Sequence, residues 1–401
     1  MKIFENGVFI SCEEENRVFD TLVCHKGRIV YGGNGLPKEY ARGKRHDLKG
    51  ACVLPAFGDT HMHFESYATF MSTLDVRNAR DFEDMSRMVK AYFMKNPKAD
   101  FLPAFGCSAH TVAEKRLPEK ADLDRMTNVP FMIVKYDGHA AVANSALLDI
   151  MPQEVKDEEG FDEKTGWMYQ NAFYKGVNFI TQKISPIKVL RSLINASDIL
   201  ARQGIALIHT AEGVGYKNDI DLDTIRFVSR GLPQAFRIFF QTTDVPKVTK
   251  RKLPRIGGCF KLALDGCFGS EDAALSKPYE NNPENKGFLL YTQEEVNDFC
   301  IKANRENLQI SLHAIGDVAV NQALTAFEAA LADFPRDDHR HTIIHADLIP
   351  EKMQERAAAM GICIAVQPAF LDWEQEPEEY LENILGERAK NMLPLKSLVD
   401  K

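Results

Sequence analysis

A chain of 401 residues, 45% hydrophobic and 26% charged, can bury a substantial core and has the balance of a globular enzyme. Its formal net charge of -8 argues against a nucleic-acid partner or an anionic membrane surface. No apolar run approaches the ~18 residues that a membrane-spanning helix needs.

The N-terminal stretch MKIFENGVFISCEEEN is too short in apolar residues for a signal peptide. The 8 cysteines form no CxxC pair, which reads as reduced thiols in a cytoplasmic protein. Residues 1–52 carry β-branched and aromatic runs broken by Asn-Gly, Lys-Gly and Gly-Gly, predicting a small β-rich unit before the main domain at 53–401. ACVLPAFGDTH then reads as a first long strand, closed by His61 and His63. Residues i and i+2 on a strand share a face, so this pair either meets one cation or forms two satisfied polar residues at a strand end.

The stretch from about 66 to 195 is far too long for a βα crossover and is read as an insertion that shapes a pocket. It predicts a helix over 81–96, strands over 101–107 and 130–138, and a helix over 195–203 that leads back to the main domain. From there short apolar strands alternate with helical patterns: GIALIHT, QAFRIFFQTT, GCFKLALDG, LQISLHAIGD, HTIIHADL and GICIAVQPAF. With the first strand this makes seven, and the architecture expected is a TIM-like (β/α)₈ barrel of α/β class whose eighth strand is missing. The basic run KVTKRKLPR reads as a solvated loop.

His313 and His345 each close an apolar strand, as His61 and His63 do, in a chain with only 11 histidines. The C-terminal ends of parallel strands are where barrel active sites are built, and neutral imidazoles there suit zinc, with iron, manganese or nickel left open. Lys261 lies inside an apolar strand, where a bare ammonium is costly; it either acquires a partner or a modification, or snorkels at the strand edge. His209 ends the second strand and is a candidate for lining the pocket, whereas His110, His339 and His341 have no supporting context. Asp265 and Asp317 read as structural, fixing loops behind the site.

Taken in order, PAFGDTHMH, YDGHAAVANSALL, KLALDGCFGS, LHAIGD and IIHADL resemble the amidohydrolase superfamily over essentially the whole chain. More narrowly the set is similar to its YtcJ-like (amidohydrolase 3) branch, which includes N-substituted formamide deformylase. The resemblance implies a barrel with a small β-sandwich domain and a divalent-metal site, most commonly with Zn2+. In it His61 and His63 hold the more buried metal, a carboxylated Lys261 bridges two metals and takes part in catalysis, and His313 and His345 hold the second. His139, in the inserted region, is implied as a residue that contacts substrate or orients its carbonyl. The implied reaction is hydrolysis of a small-molecule amide by hydroxide generated at the metal. The resemblance implies neither a nucleic-acid nor a membrane partner, and a homodimer stays open.

Two departures stand out. The family closes its eighth strand with an aspartate in a Ser-Asp-x-Pro setting, and no such setting occurs in this sequence. The expectation is therefore a truncated form that binds metal but hydrolyses poorly. CFGSEDAAL also places Cys267, Glu271 and Asp272 where the family has small and basic residues. Linear amide or formamide hydrolysis leads, ahead of cyclic amide hydrolysis or deamination and of a non-catalytic ligand-binding role.

Overall fold

The computed structural model describes residues 1–13, 17–213 and 219–401, with residue 260 by its backbone alone. Seven strands form one parallel sheet in chain order: β1 (Phe57–Met62), β2 (Ile205–Glu212), β3 (Ala235–Phe240), β4 (Arg255–Ala263), β5 (Gln309–Ala314), β6 (Thr342–His345) and β7 (Cys363–Ala365). These are the seven strands expected, with β1 and β7 at the edges. The sheet curls into a nearly closed, TIM-like barrel: Thr60 on β1, His209 on β2, Phe239 on β3, Ser311 on β5 and Ile344 on β6 all face one small internal void.

The crossovers follow from helical periodicity and capping. The helix Gln293–Arg305 starts at a capping box in which Thr292 and Glu295 satisfy each other's backbone N–H groups. It packs with the helix Asp317–Asp333 over β4, β5 and β6, and this is the largest apolar cluster, including Ile310, Leu312, Phe327 and Ile343. No helix among the described residues is long and apolar enough to cross a membrane.

Before the barrel, the strands Arg28–Gly33, Thr21–His25, Lys2–Glu5 and Lys44–Asp47 form one sheet. Val18–Phe19, Val8–Ile10 and Cys52–Val53 form another. The single strand expected from Ala51 to His61 is thus two. Cys52–Val53 pairs with Val8–Ile10, and the chain restarts at Phe57 after Pro55, which has no N–H to give a ladder.

The inserted region builds its own sheet of Trp167–Tyr169, Ala140–Ala143, Phe131–Lys135, Leu102–Cys107 and Leu74–Asp75. Two helices flank it towards the barrel: α1 (Phe64–Met71), directly after β1, and α2 (Gln170–Thr181). The helix expected over 195–203 is the end of α3 (Pro186–Arg202), which starts at Ser185 with Pro186 in its first turn. The basic run at 247–255 is not simply a loop. Val245–Lys250 is helical behind an Asp244 cap, and Lys247 and Arg251 pair with Asp219 at 2.8 and 3.1 Å.

Candidate metal centre

The end of β1 and the start of α1 fix the first pair of histidines. His61 is on the strand and His63 is the N-cap residue of α1, so the HxH spacing straddles the strand-to-helix junction. His313 lies near the end of β5, and His345 is the last residue of β6. The four rings converge: His61 lies 5.1 Å from His63 and 5.6 Å from His345, and His313 lies 4.7 Å from His345, centroid to centroid. His345 and Ala346 take φ of 75° and 54°, a left-handed turn that costs non-glycine residues energy and clusters at functional sites.

Hydrogen bonds fix which ring nitrogens face the cluster. His63 Nδ1 sits 3.1 Å from the Ala211 carbonyl and His345 Nδ1 sits 2.6 Å from Gln367 Oε1. The Gln367 amide is itself oriented, since its Nε2 donates to the Ala365 carbonyl at 3.0 Å. These oxygens only accept, so both rings carry hydrogen on Nδ1 and a lone pair on Nε2. His313 is turned the other way: Nε2 donates to the Gly266 carbonyl at 3.1 Å, while buried Nδ1 has no partner among the described residues. A buried lone pair with nothing to accept, turned into a cluster of neutral imidazoles, fits a metal cation.

Burial dominates the acid–base behaviour. It pushes His61 and His345 well below the usual histidine range, helped by their neighbouring imidazoles. It brings His63 down to about 4 and His313 to about 3. All four rings are neutral at physiological pH, the form that binds a metal. Behind His313, Asp265 accepts backbone N–H bonds from Ile315, Gly316 and Ala274 at 3.0, 2.8 and 2.9 Å, as a loop-fixing residue should. Burial raises its carboxyl to about 7 despite those bonds. Asp317 takes the backbone N–H of Ser276 at 2.9 Å and also its hydroxyl.

Of the two placements the sequence leaves open for Lys261, the structure shows the one at the strand edge. Its side chain is exposed, and Nζ lies 3.4 Å from the Gly213 carbonyl. The cause is in the strand. The register of β4 against β5 jumps between Gly258 and Ala263, so residues 259–262 leave the regular alternation. Gly257 at φ 116° allows this, because a Cβ there would stand 2.0 Å from the Ser311 carbonyl oxygen. The bulge brings in a residue the sequence reading missed. Cys259 Sγ is 3.1 Å from His61 Nε2 and 3.8 Å from His345 Nε2. The available signal was a cysteine inside an apolar strand directly behind two glycines.

His139 is brought near the cluster, within electrostatic reach of His63, His313 and His345. Its backbone N–H donates to Asp137 Oδ1 at 3.0 Å, and Asp137 pairs with buried Lys135 at 2.7 Å. Lys135 also donates to the Gly269 carbonyl at 3.2 Å, and Asp272 accepts from the Cys267 backbone at 2.8 Å. The CFGSED stretch therefore backs the His139 loop. His209 shares the internal void with His61 and lies 6.0 Å from Phe239. His110 packs on Tyr380, while His339 and His341 bond to Met360 and Asn304 at the opposite end of the barrel.

A cavity of about 420 Å³ opens beside His63. Its walls are mostly apolar and aromatic, with Tyr67 and Phe70 from α1, Phe105 from the inserted sheet, and Phe173, Tyr174 and Val177 from α2. Asp137 and Gly138 border it, and Arg77, held to Asp75 at 2.7 Å, is the one cationic wall residue among the described residues. A larger cleft of about 710 Å³, lined by Tyr92, Lys98, Lys188 and Arg191 among others, contains none of the clustered histidines.

Known proteins resemble this chain over most of its length. A metal-dependent hydrolase of unassigned function from Pyrococcus furiosus superimposes with a TM-score of 0.76 at 27% identity, covering 100% of this chain and 83% of that one. The putative amidohydrolase YtcJ of Bacillus subtilis (strain 168) is 24% identical over 100% of this chain and 78% of its own length. The exoenzymes regulatory protein AepA of Pectobacterium carotovorum subsp. carotovorum is 26% identical over 82% of this chain and 76% of its own. Residues 45–401 match the Amidohydrolase family, and with its histidines gathered at the strand ends of a parallel barrel, the chain belongs to that family.

Proposed function

We propose that the protein is a metal-dependent hydrolase of a carbon–nitrogen bond other than a peptide bond, acting on a small amide or formamide with an apolar substituent. The observation that carries this reading is the set of fixed tautomers. His63 and His345 are anchored through Nδ1 and His313 through Nε2, which leaves neutral lone pairs and one orphaned buried nitrogen in the cluster. That donor set fits a borderline-soft divalent ion, with Zn2+ the ion of choice.

Such an ion supplies a Lewis acid for the carbonyl and makes a water acidic enough to attack at neutral pH. The chain does the rest. His61, His63, His313 and His345 would offer the nitrogen donors for a divalent metal at this centre, and the aromatic cavity beside His63 takes the apolar part of the substrate and excludes water from it. His139, held through Asp137 and Lys135, is assigned to orient the substrate carbonyl.

A hydrolysis screen tests the reading, with zinc-loaded protein and N-substituted formamides, N-acyl amines and cyclic imides. Turnover of linear amides that rises with the size of the apolar substituent, stops with a chelator and returns with zinc is the expected result. A metal-loaded, folded protein that hydrolyses only cyclic imides overturns the linear-amide assignment. One that hydrolyses none of these compounds overturns the reading.

A further inference from the structure

Resting on that metal-hydrolase reading, we propose that Cys259 is a metal ligand, its thiolate joining His61 and His345 around one ion in the position expected of a modified Lys261. The three ligand atoms, Cys259 Sγ and one nitrogen of each histidine, all lie within 4.8 Å of one another. A tetrahedral zinc with Zn–S near 2.3 Å and Zn–N near 2.05 Å sets sulfur and nitrogen about 3.5 Å apart. The observed separations of 3.1 and 3.8 Å fall on either side of that value.

The backbone around Cys259 is built to hold it there. Its N–H donates to Gln241 Oε1 at 3.0 Å, and Gln241 Nε2 donates to the Ala211 carbonyl at 3.0 Å. That same carbonyl accepts His63 Nδ1, so one glutamine couples the cysteine to the histidine anchor, as outer-shell residues of metal sites do. Gly258 makes the approach feasible, since a Cβ there would stand 2.6 Å from Gln241 Cγ. Cys259 is 4% exposed and packs with Ile344 and Ala365.

Lys261 is held less closely: it is exposed, and among the described residues its ammonium meets a carbonyl at 3.4 Å. A thiolate also supplies the one negative charge that a carboxylated lysine would bring. On binding, the thiol proton leaves to solvent as the sulfur–metal bond forms, with no change in oxidation state and no carbon dioxide consumed. Sulfur also biases the site towards zinc or cobalt over magnesium or manganese.

The test is the absorption spectrum of the full chain loaded with Co2+. The wild type shows a thiolate-to-cobalt charge-transfer band in the near ultraviolet. Cys259→Ser loses that band and binds zinc at least about tenfold more weakly, while Lys261→Ala keeps both. Cobalt uptake without the band overturns the assignment alone. So does metal loss in Lys261→Ala together with a carbon dioxide adduct on wild-type Lys261. A wild type that takes up no cobalt overturns both the assignment and the hydrolase reading beneath it.

Discussion

Gln367, just beyond β7, holds the ring of His345 by a 2.6 Å hydrogen bond from Nδ1 to its Oε1. The bond sets the tautomer and aims Nε2 at Cys259 and His61. Outer-shell bonds of this kind are worth about 10–100-fold in metal affinity. Gln367→Leu is therefore expected to weaken zinc binding by that factor while the fold persists. Competition titration against a chromophoric chelator measures it, and unchanged affinity would show that the bond is incidental.

The cavity beside His63 should set substrate preference. Val177 on α2 lines it together with Phe105, and Val177→Trp fills part of it. Losing room for a few carbon atoms costs roughly 10–200-fold in kcat/KM for a bulky substrate. An N-aryl formamide should lose that much against N-methylformamide, with metal content unchanged. Equal losses for both compounds would place the substrate elsewhere.

Asp265 closes three backbone N–H bonds behind His313. Removing the acceptor leaves buried donors unpaired at about 1–3 kcal/mol each. Asp265→Ala is expected to lower stability by roughly 3 kcal/mol or more in urea unfolding of metal-free protein. A change under about 1 kcal/mol would mean that water or a backbone shift restores those bonds.

His341, at the far end of the barrel, reports on acid stability without involving the metal. Its Nδ1 accepts the Ile310 N–H at 3.1 Å, and burial lowers its pKa from 6.5 to about 3. Below pH 6.5 the unfolded chain takes up a proton that the folded chain refuses, so this histidine's contribution is present above 6.5 and lost as pH falls towards 3. Asp265, raised to about 7, works in the opposite sense, so a difference against a variant is needed. His341→Asn keeps an acceptor for Ile310, and the wild type should lose about 2 kcal/mol relative to it between ~pH 7 and ~pH 5. Parallel stability curves would contradict this.

Much of this was legible in the sequence because it is local. The seven barrel strands announce themselves as apolar runs that end in polar residues, and four of the strand-end histidines converge as their positions suggested. The errors came where tertiary structure overrides pattern. Pro55 splits one apparent strand between two sheets, and Ser185 starts α3 earlier than its clearest periodicity. The approach of Cys259 to His61 depends on a bulge permitted by Gly257 and Gly258, and alternation along a strand cannot reveal a register jump. His139 reached the cluster from the inserted region, a placement only the folded loop could show.

The central claim is that His61, His63, His313 and His345 gather to hold a metal, and anomalous scattering from crystals grown with zinc tests it most directly. The account predicts an anomalous peak bonded to His61 and His345 at about 2.0–2.1 Å, with His63 and His313 facing the same centre. Crystals of folded, zinc-soaked protein with no peak among these four rings would contradict it.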